Sequence, residues 1–123
     1  LTPHNQFLSL RQVHGTHVEV IQDILQDTRG PLREGDGLIT NQPRLTLGIW
    51  TADCGPVLWF APSQKMIGAC HVGWRGLRDG ILTQMVTTFG TLGIQPKDLY
   101  VAVGPLIHAQ TYPVGEDFPK NIK

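Results

Sequence analysis

Alternating β-branched and polar residues in HVEVIQDI predict a strand from about residue 18 to residue 24. The polar stretch QDTRGPLREGDG then reads as a loop, and GLITN as a short strand. LTLGIW and VLWFA are apolar runs of strand length. Between them lies TADCGP, whose Gly55-Pro56 pair signals a turn, so Cys54 falls at a break where a side chain is presented rather than packed. APSQK is a tight connection into MIGACHV, which predicts a hairpin. From Leu77 the period changes: Leu77, Ile81, Leu82, Met85, Val86 and Phe89 recur at helical spacing, with Gly90 as the stop. KDLYVAVGPLI predicts a last strand closed by Gly104-Pro105, and the tail from His108 has no regular pattern. Hairpins with one strong amphipathic helix predict the α+β class, a mixed β-sheet rather than a doubly wound parallel one.

The strand reading gives MIGACHVGWRG a geometry. Alternation puts Ile67, Ala69 and His71 on one face and Met66, Cys70 and Val72 on the other, so His71 and Cys70 cannot readily serve one metal ion. Gly73 and Gly76 permit a sharp backbone change and close approach of a ligand, and the following helix start offers unpaired N–H groups. Arg75 adds a permanent bidentate charge. Together these suit a phosphate or carboxylate; the plainer alternative is a buried histidine, a Trp74 wedge and a surface arginine at an ordinary strand–helix junction.

The length of 123 residues, 41% of them hydrophobic, predicts one domain with its own core. Lys+Arg and Asp+Glu are both 10, so no net basic field draws nucleic acid. No apolar run approaches the roughly 18–20 residues of a membrane span, and the N-terminus lacks the profile of a secretory signal. Two cysteines without CxxC spacing predict a reducing, cytoplasmic setting, with a Cys54–Cys70 disulfide left open. A chain that starts at Leu1 and stops at FPKNIK reads as a processed or truncated product.

Catalytic zinc takes three protein ligands and an open position for water. His14, Cys54 and His71 would make such a set, yet they come from distant segments without short chelate pairs. The alternative is a small buried Cys54 with His14 and His17 as ordinary loop histidines.

QVHGTHV, DGLIT, TADCGPVL, HVGWRG and VAVGPLI with YPVG, in this order, resemble the segments of the YfiH/laccase-domain family. Its members are variously labelled multicopper polyphenol oxidase, purine nucleoside phosphorylase and peptidoglycan editing factor. The similarity runs from about Gln12 to Gly115. It implies a YfiH-like fold and a catalytic metal, usually described as zinc, on His14, Cys54 and His71. His17, Cys70 and His4 stay structural or surface residues by default. Leu106 stands where the family commonly has a cysteine, and Gly55 where a larger apolar residue is frequent. Family members carry further sequence before and after these segments, so the domain reads as incomplete at both ends.

The function implied is that of a zinc-dependent purine nucleoside enzyme. It would convert adenosine, inosine or methylthioadenosine with phosphate to free base and ribose 1-phosphate, with adenosine deaminase activity. Zinc lowers the pKa of bound water toward about 7, which suits deamination. Phosphorolysis instead asks for an oriented phosphate, for which Gly73, Trp74, Arg75 and Gly76 are the candidates. Asp53, beside a ligand, is the candidate general-base or supporting carboxylate. Trp74 or Trp50 could stack on the purine, and Asp36 in GDGLIT reads as a turn residue. The partners expected are a small nucleoside and phosphate, with neither nucleic acid nor membrane. The alternatives are a copper-dependent polyphenol oxidase, for which few histidines are present, a non-catalytic metal-stabilised fragment, and a hydrolase with Cys54 as nucleophile and His71 as base.

Overall fold

Two adjacent strands, β5 (Gly55–Ala61) and β6 (Met66–Val72), form an antiparallel hairpin at the heart of the molecule. The computed structural model describes residues 6–22 and 33–111. The hairpin turn is a 3-10 segment, Pro62–Gln64, closed by Lys65 at φ 52° with its N–H donating to the Pro62 carbonyl. Around the hairpin stand β2 (Val18–Ile21), β3 (Gly37–Thr40) and β7 (Tyr100–Val103), giving a five-stranded sheet in the order β2-β3-β6-β5-β7. β2 and β3 are parallel and the other pairs antiparallel, so the sheet is mixed. β1 (Gln6–Ser9) and β4 (Leu45–Gly48) pair in parallel as a second, two-stranded sheet.

The period-2 pattern explains how the sheet is covered. Ile39, Val57, Trp59, Met66 and Cys70 are buried on one face against Ile81, Met85 and Phe89 of a helix. On the other face, Ile21 and Leu38 pack with Leu8, Leu10 and Leu45 beneath the small sheet. Cys70 and His71 therefore diverge as the alternation predicts. Cys70 lies in the helix-side core, where Trp59 Nε1–H donates to its Sγ at 3.4 Å. Both cysteines are free, which closes the disulfide question. The α+β class with a mixed sheet and one main helix stands.

Several local expectations change. The helix expected from Leu77 is two helices, α1 (Trp74–Asp79) and α2 (Ile81–Thr91). Gly80, at φ +101°, caps the first with its N–H on the Gly76 carbonyl and redirects the chain. Leu77 thus falls on α1 at 56% exposed rather than in the core. Gly90 does not stop α2; the chain turns at Leu92 and Gly93, whose N–H groups bond to Phe89 and Gly90 carbonyls. Gly55-Pro56 is not a turn but the start of β5, and the bend lies at residues 52–54. A proline near a strand's first residue forfeits little of the ladder. β2 ends at Ile21, and residues 23 and 24 lie outside the described residues. β7 is shorter than expected because Pro96–Asp98 forms a 3-10 turn. β1, a short strand without extended alternation, escaped the pattern altogether. Among the described residues, no helix is long and apolar enough to cross a membrane.

Phe89, fully buried with its ring 6.0 Å from that of Trp59, anchors α2 on the sheet. Phe89→Ala is expected to cost about 3–5 kcal/mol, and Leu77→Ala less than about 0.5, read as shifts of the urea midpoint at unchanged m-value.

Candidate metal centre

Three segments converge at the end of β6. His71 is the penultimate residue of that strand, Cys54 closes the bend entering β5, and His14 sits in the loop between β1 and β2. Their donor atoms all lie within 4.8 Å of one another. The two imidazoles meet edge to face, with ring centres 4.8 Å apart. His71 is buried, Cys54 half-buried and His14 exposed, so the cluster faces outward into a cleft of about 550 Å³. Gln12, Trp50 and Asp53 line the same cleft.

The cleft walls are tied together by polar contacts. The side chain of Gln12 brackets the backbone of Trp50, donating from Nε2 to its carbonyl at 2.7 Å and accepting its N–H on Oε1 at 2.8 Å. The Ile107 N–H donates to the Asp53 carbonyl at 3.0 Å, which secures the Cys54 bend from the far side.

Sequence reasoning missed Asp36. Fully buried, it lies beneath the site and accepts four hydrogen bonds: from the N–H groups of Val13, His14 and Gly15 and from Nδ1 of His71, the last at 2.7 Å. Burial pushes its carboxyl up, but the His71 bond and the three backbone N–H groups outweigh it and hold the group below its ordinary value. An ionised carboxylate only accepts, so the proton of the His71–Asp36 bond resides on Nδ1, and in the neutral imidazole Nε2 is the nitrogen that keeps its lone pair. The available signal was the position of Asp36 just ahead of β3, which is what made it read as a turn residue.

Cys54 behaves differently. Burial first, then the charges of Asp53 and Asp36, push its thiol up. That direction disfavours a free thiolate nucleophile, against the cysteine-hydrolase alternative. The same negative surroundings favour a cation.

Could these residues hold a metal? Zn–N bonds of about 2.0–2.1 Å and Zn–S of about 2.3 Å set tetrahedral donors about 3.3–3.6 Å apart. A His2Cys set whose donor atoms all lie within 4.8 Å of one another is close to that spacing. The donor set fits zinc, and it leaves one side open to the cleft.

Other expected residues fall elsewhere. His17 is engaged with Glu19 at 2.8 Å, and Cys70 is buried and pushed up to about 11 by desolvation. Arg75 lies over the Trp74 ring at 4.8 Å, with Arg78 at 5.1 Å. It lines neither the cleft nor the adjoining apolar cavity of about 320 Å³, which Trp74, Leu77, Leu82 and Leu106 help to line. α1 has only six residues, too few to build much of a helix dipole. The glycines of GWRG have a steric task. A Cβ on Gly73 would stand 3.1 Å from both Cys54 Sγ and His14 Cδ2, and one on Gly76 3.2 Å from the Gly15 carbonyl.

The profile of the multi-copper polyphenol oxidoreductase laccase family matches residues 1–123. The chain belongs to that family. Among relatives of this laccase-like family, a purine nucleoside phosphorylase of Deinococcus radiodurans is 40% identical over 113 residues, covering 92% of this chain and 42% of the relative. The purine nucleoside phosphorylase YlmD of Geobacillus stearothermophilus is 34% identical, covering 93% and 44%. The crystal structure of YlmD from that organism superposes with a TM-score of 0.87 at 32% identity, over 97% of this chain and 46% of its own. The YfiH protein of Bacillus licheniformis gives 0.82 at 29%, over 94% and 45%. The chain thus spans less than half the length of these relatives.

Since Gly73 makes room for two donors, any metal affinity of the cluster is expected to fall several-fold in Gly73→Ala while the melting temperature without metal stays within a few degrees. Chelator-competition titration with parallel thermal melts checks both.

Proposed function

We propose that His14, Cys54 and His71 hold a zinc ion and that this segment is the metal-bearing part of a purine nucleoside phosphorylase with adenosine deaminase activity. The observation that carries the reading is the convergence of the three donors, within 4.8 Å, at the wall of an open cleft. The names of the relatives support the substrate class, purine nucleosides with phosphate as co-substrate. Adenosine, inosine and methylthioadenosine are the members of that class proposed here, with the cytoplasm as the compartment.

Zinc supplies Lewis-acid activation of water or of a substrate oxygen at neutral pH. The residues supply the rest. His71 presents Nε2 because Asp36 occupies Nδ1, and Cys54 would hold the cation as the thiolate. Asp53, exposed at the cleft lip beside Cys54, is placed to accept a proton from water during deamination, in which water displaces ammonia from the purine ring. In phosphorolysis, phosphate displaces the base at the ribose anomeric carbon. Trp50, 65% exposed with its backbone clasped by Gln12, offers a flat surface for the base. Trp74 is less suited, since two guanidinium groups lie over its ring. Arg75, stacked on Trp74, keeps the in-plane N–H donors of its guanidinium for a phosphate, although it does not line the cleft.

Copper in the same donors is the alternative, favoured by the family name, and would support phenol oxidation. The purified protein is expected to carry near-stoichiometric zinc by plasma mass spectrometry and to release adenine from adenosine only with phosphate, equally well without oxygen. Cys54→Ala is expected to lose both metal and activity. Full turnover in that variant would sink the metal mechanism; copper with oxygen-dependent phenol oxidation would establish the oxidase. Metal without turnover of either substrate would leave a structural ion.

A further inference from the structure

We propose that Asp36 is the positioning residue of this centre, a single buried carboxylate that orients both histidine donors at once. The inference rests on the metal reading of His14, Cys54 and His71. Asp36 Oδ2 accepts from His71 Nδ1 at 2.7 Å and from the His14 N–H at 3.0 Å. Oδ1 accepts from Val13 and Gly15, at 3.1 and 3.0 Å. One oxygen is thus shared between the ring of one ligand and the backbone of the other. Asp36 is itself immobilised: its N–H donates to the His17 carbonyl at 3.0 Å, and its carbonyl accepts the His71 N–H at 2.8 Å.

The strain in the loop needs this anchor. His14 has φ 59°, a left-handed conformation that residues other than glycine adopt rarely and that persists only when its surroundings enforce it. Three successive N–H groups closing on one carboxylate form an anion nest that enforces it. Asparagine has nearly the same size but one acceptor oxygen, and its amide hydrogens would confront either the loop N–H groups or His71 Nδ1–H. At 0% exposure, no water can substitute.

Two measurements test the proposal. In the metal-free wild type, long-range ¹H–¹⁵N correlation is expected to show His71 protonated at Nδ1 and bare at Nε2; the opposite tautomer overturns the proposal and requires no variant to fold. In chelator competition, Asp36→Asn is expected to bind zinc about 10–100-fold more weakly than wild type. Its effect is expected to shrink in a His14→Ala background, because part of it passes through His14. Affinity within threefold of wild type in folded Asp36→Asn, even with a lowered melting temperature, reduces Asp36 to a structural residue and overturns the proposal. Full additivity with His14→Ala overturns the claim that it acts on both donors. A wild type that binds no zinc removes the metal reading as well, whereas zinc in wild type with equal zinc in Asp36→Asn removes only this one.

Discussion

A buried negative charge organises this fold. Taking a carboxylate out of water costs several kcal/mol unless donors replace its hydration. Asp36 meets the requirement with three backbone N–H groups and an imidazole, and its carboxyl is held below the ordinary value despite burial. Those donors come from the β1–β2 loop and from β6, segments far apart in the chain. Satisfying one charge therefore joins them, and it joins them where two of the three donor side chains emerge.

The mixed sheet separates the tasks. Its helix-side face is closed by Ile81, Met85 and Phe89, and Cys70 is absorbed there as a small buried group with an indole N–H on its sulfur. The opposite face carries Ala69 and His71, one covered by neighbouring structure and the other delivered to the cleft. Pleating alone therefore decides which of two adjacent residues joins the core and which reaches the cleft.

Electrostatics around Cys54 favours a cation over a nucleophile. Burial and the charges of Asp53 and Asp36 push the thiol up, and a divalent ion bound there would reverse that balance. The Asp36–His71 pair has the arrangement of the carboxylate–histidine–metal pattern, in which an outer acceptor sets the tautomer of a histidine that could hold a metal. The neighbouring apolar cavity, bounded in part by Trp74 and Leu106, shares Asp53 and Cys54 with the cleft, so Cys54 stands between the two hollows.

The sequence by itself determined the β5–β6 hairpin, the face on which His71 lies, the main helix and the α+β class, because strand and helix periods are local properties visible in one linear pattern. It also named His14, Cys54 and His71, through motifs in a familiar order rather than through spacing. What only the tertiary structure decided was non-local. β1 exists because β4 pairs with it, and Arg75 turned to Trp74 instead of the cleft. Asp36 in GDGLIT looked like a turn residue because no local signal reports that a carboxylate will be enclosed by donors some twenty to thirty-five residues away. Periodicity tells which side a residue faces; which groups await it there depends on long-range strand pairing.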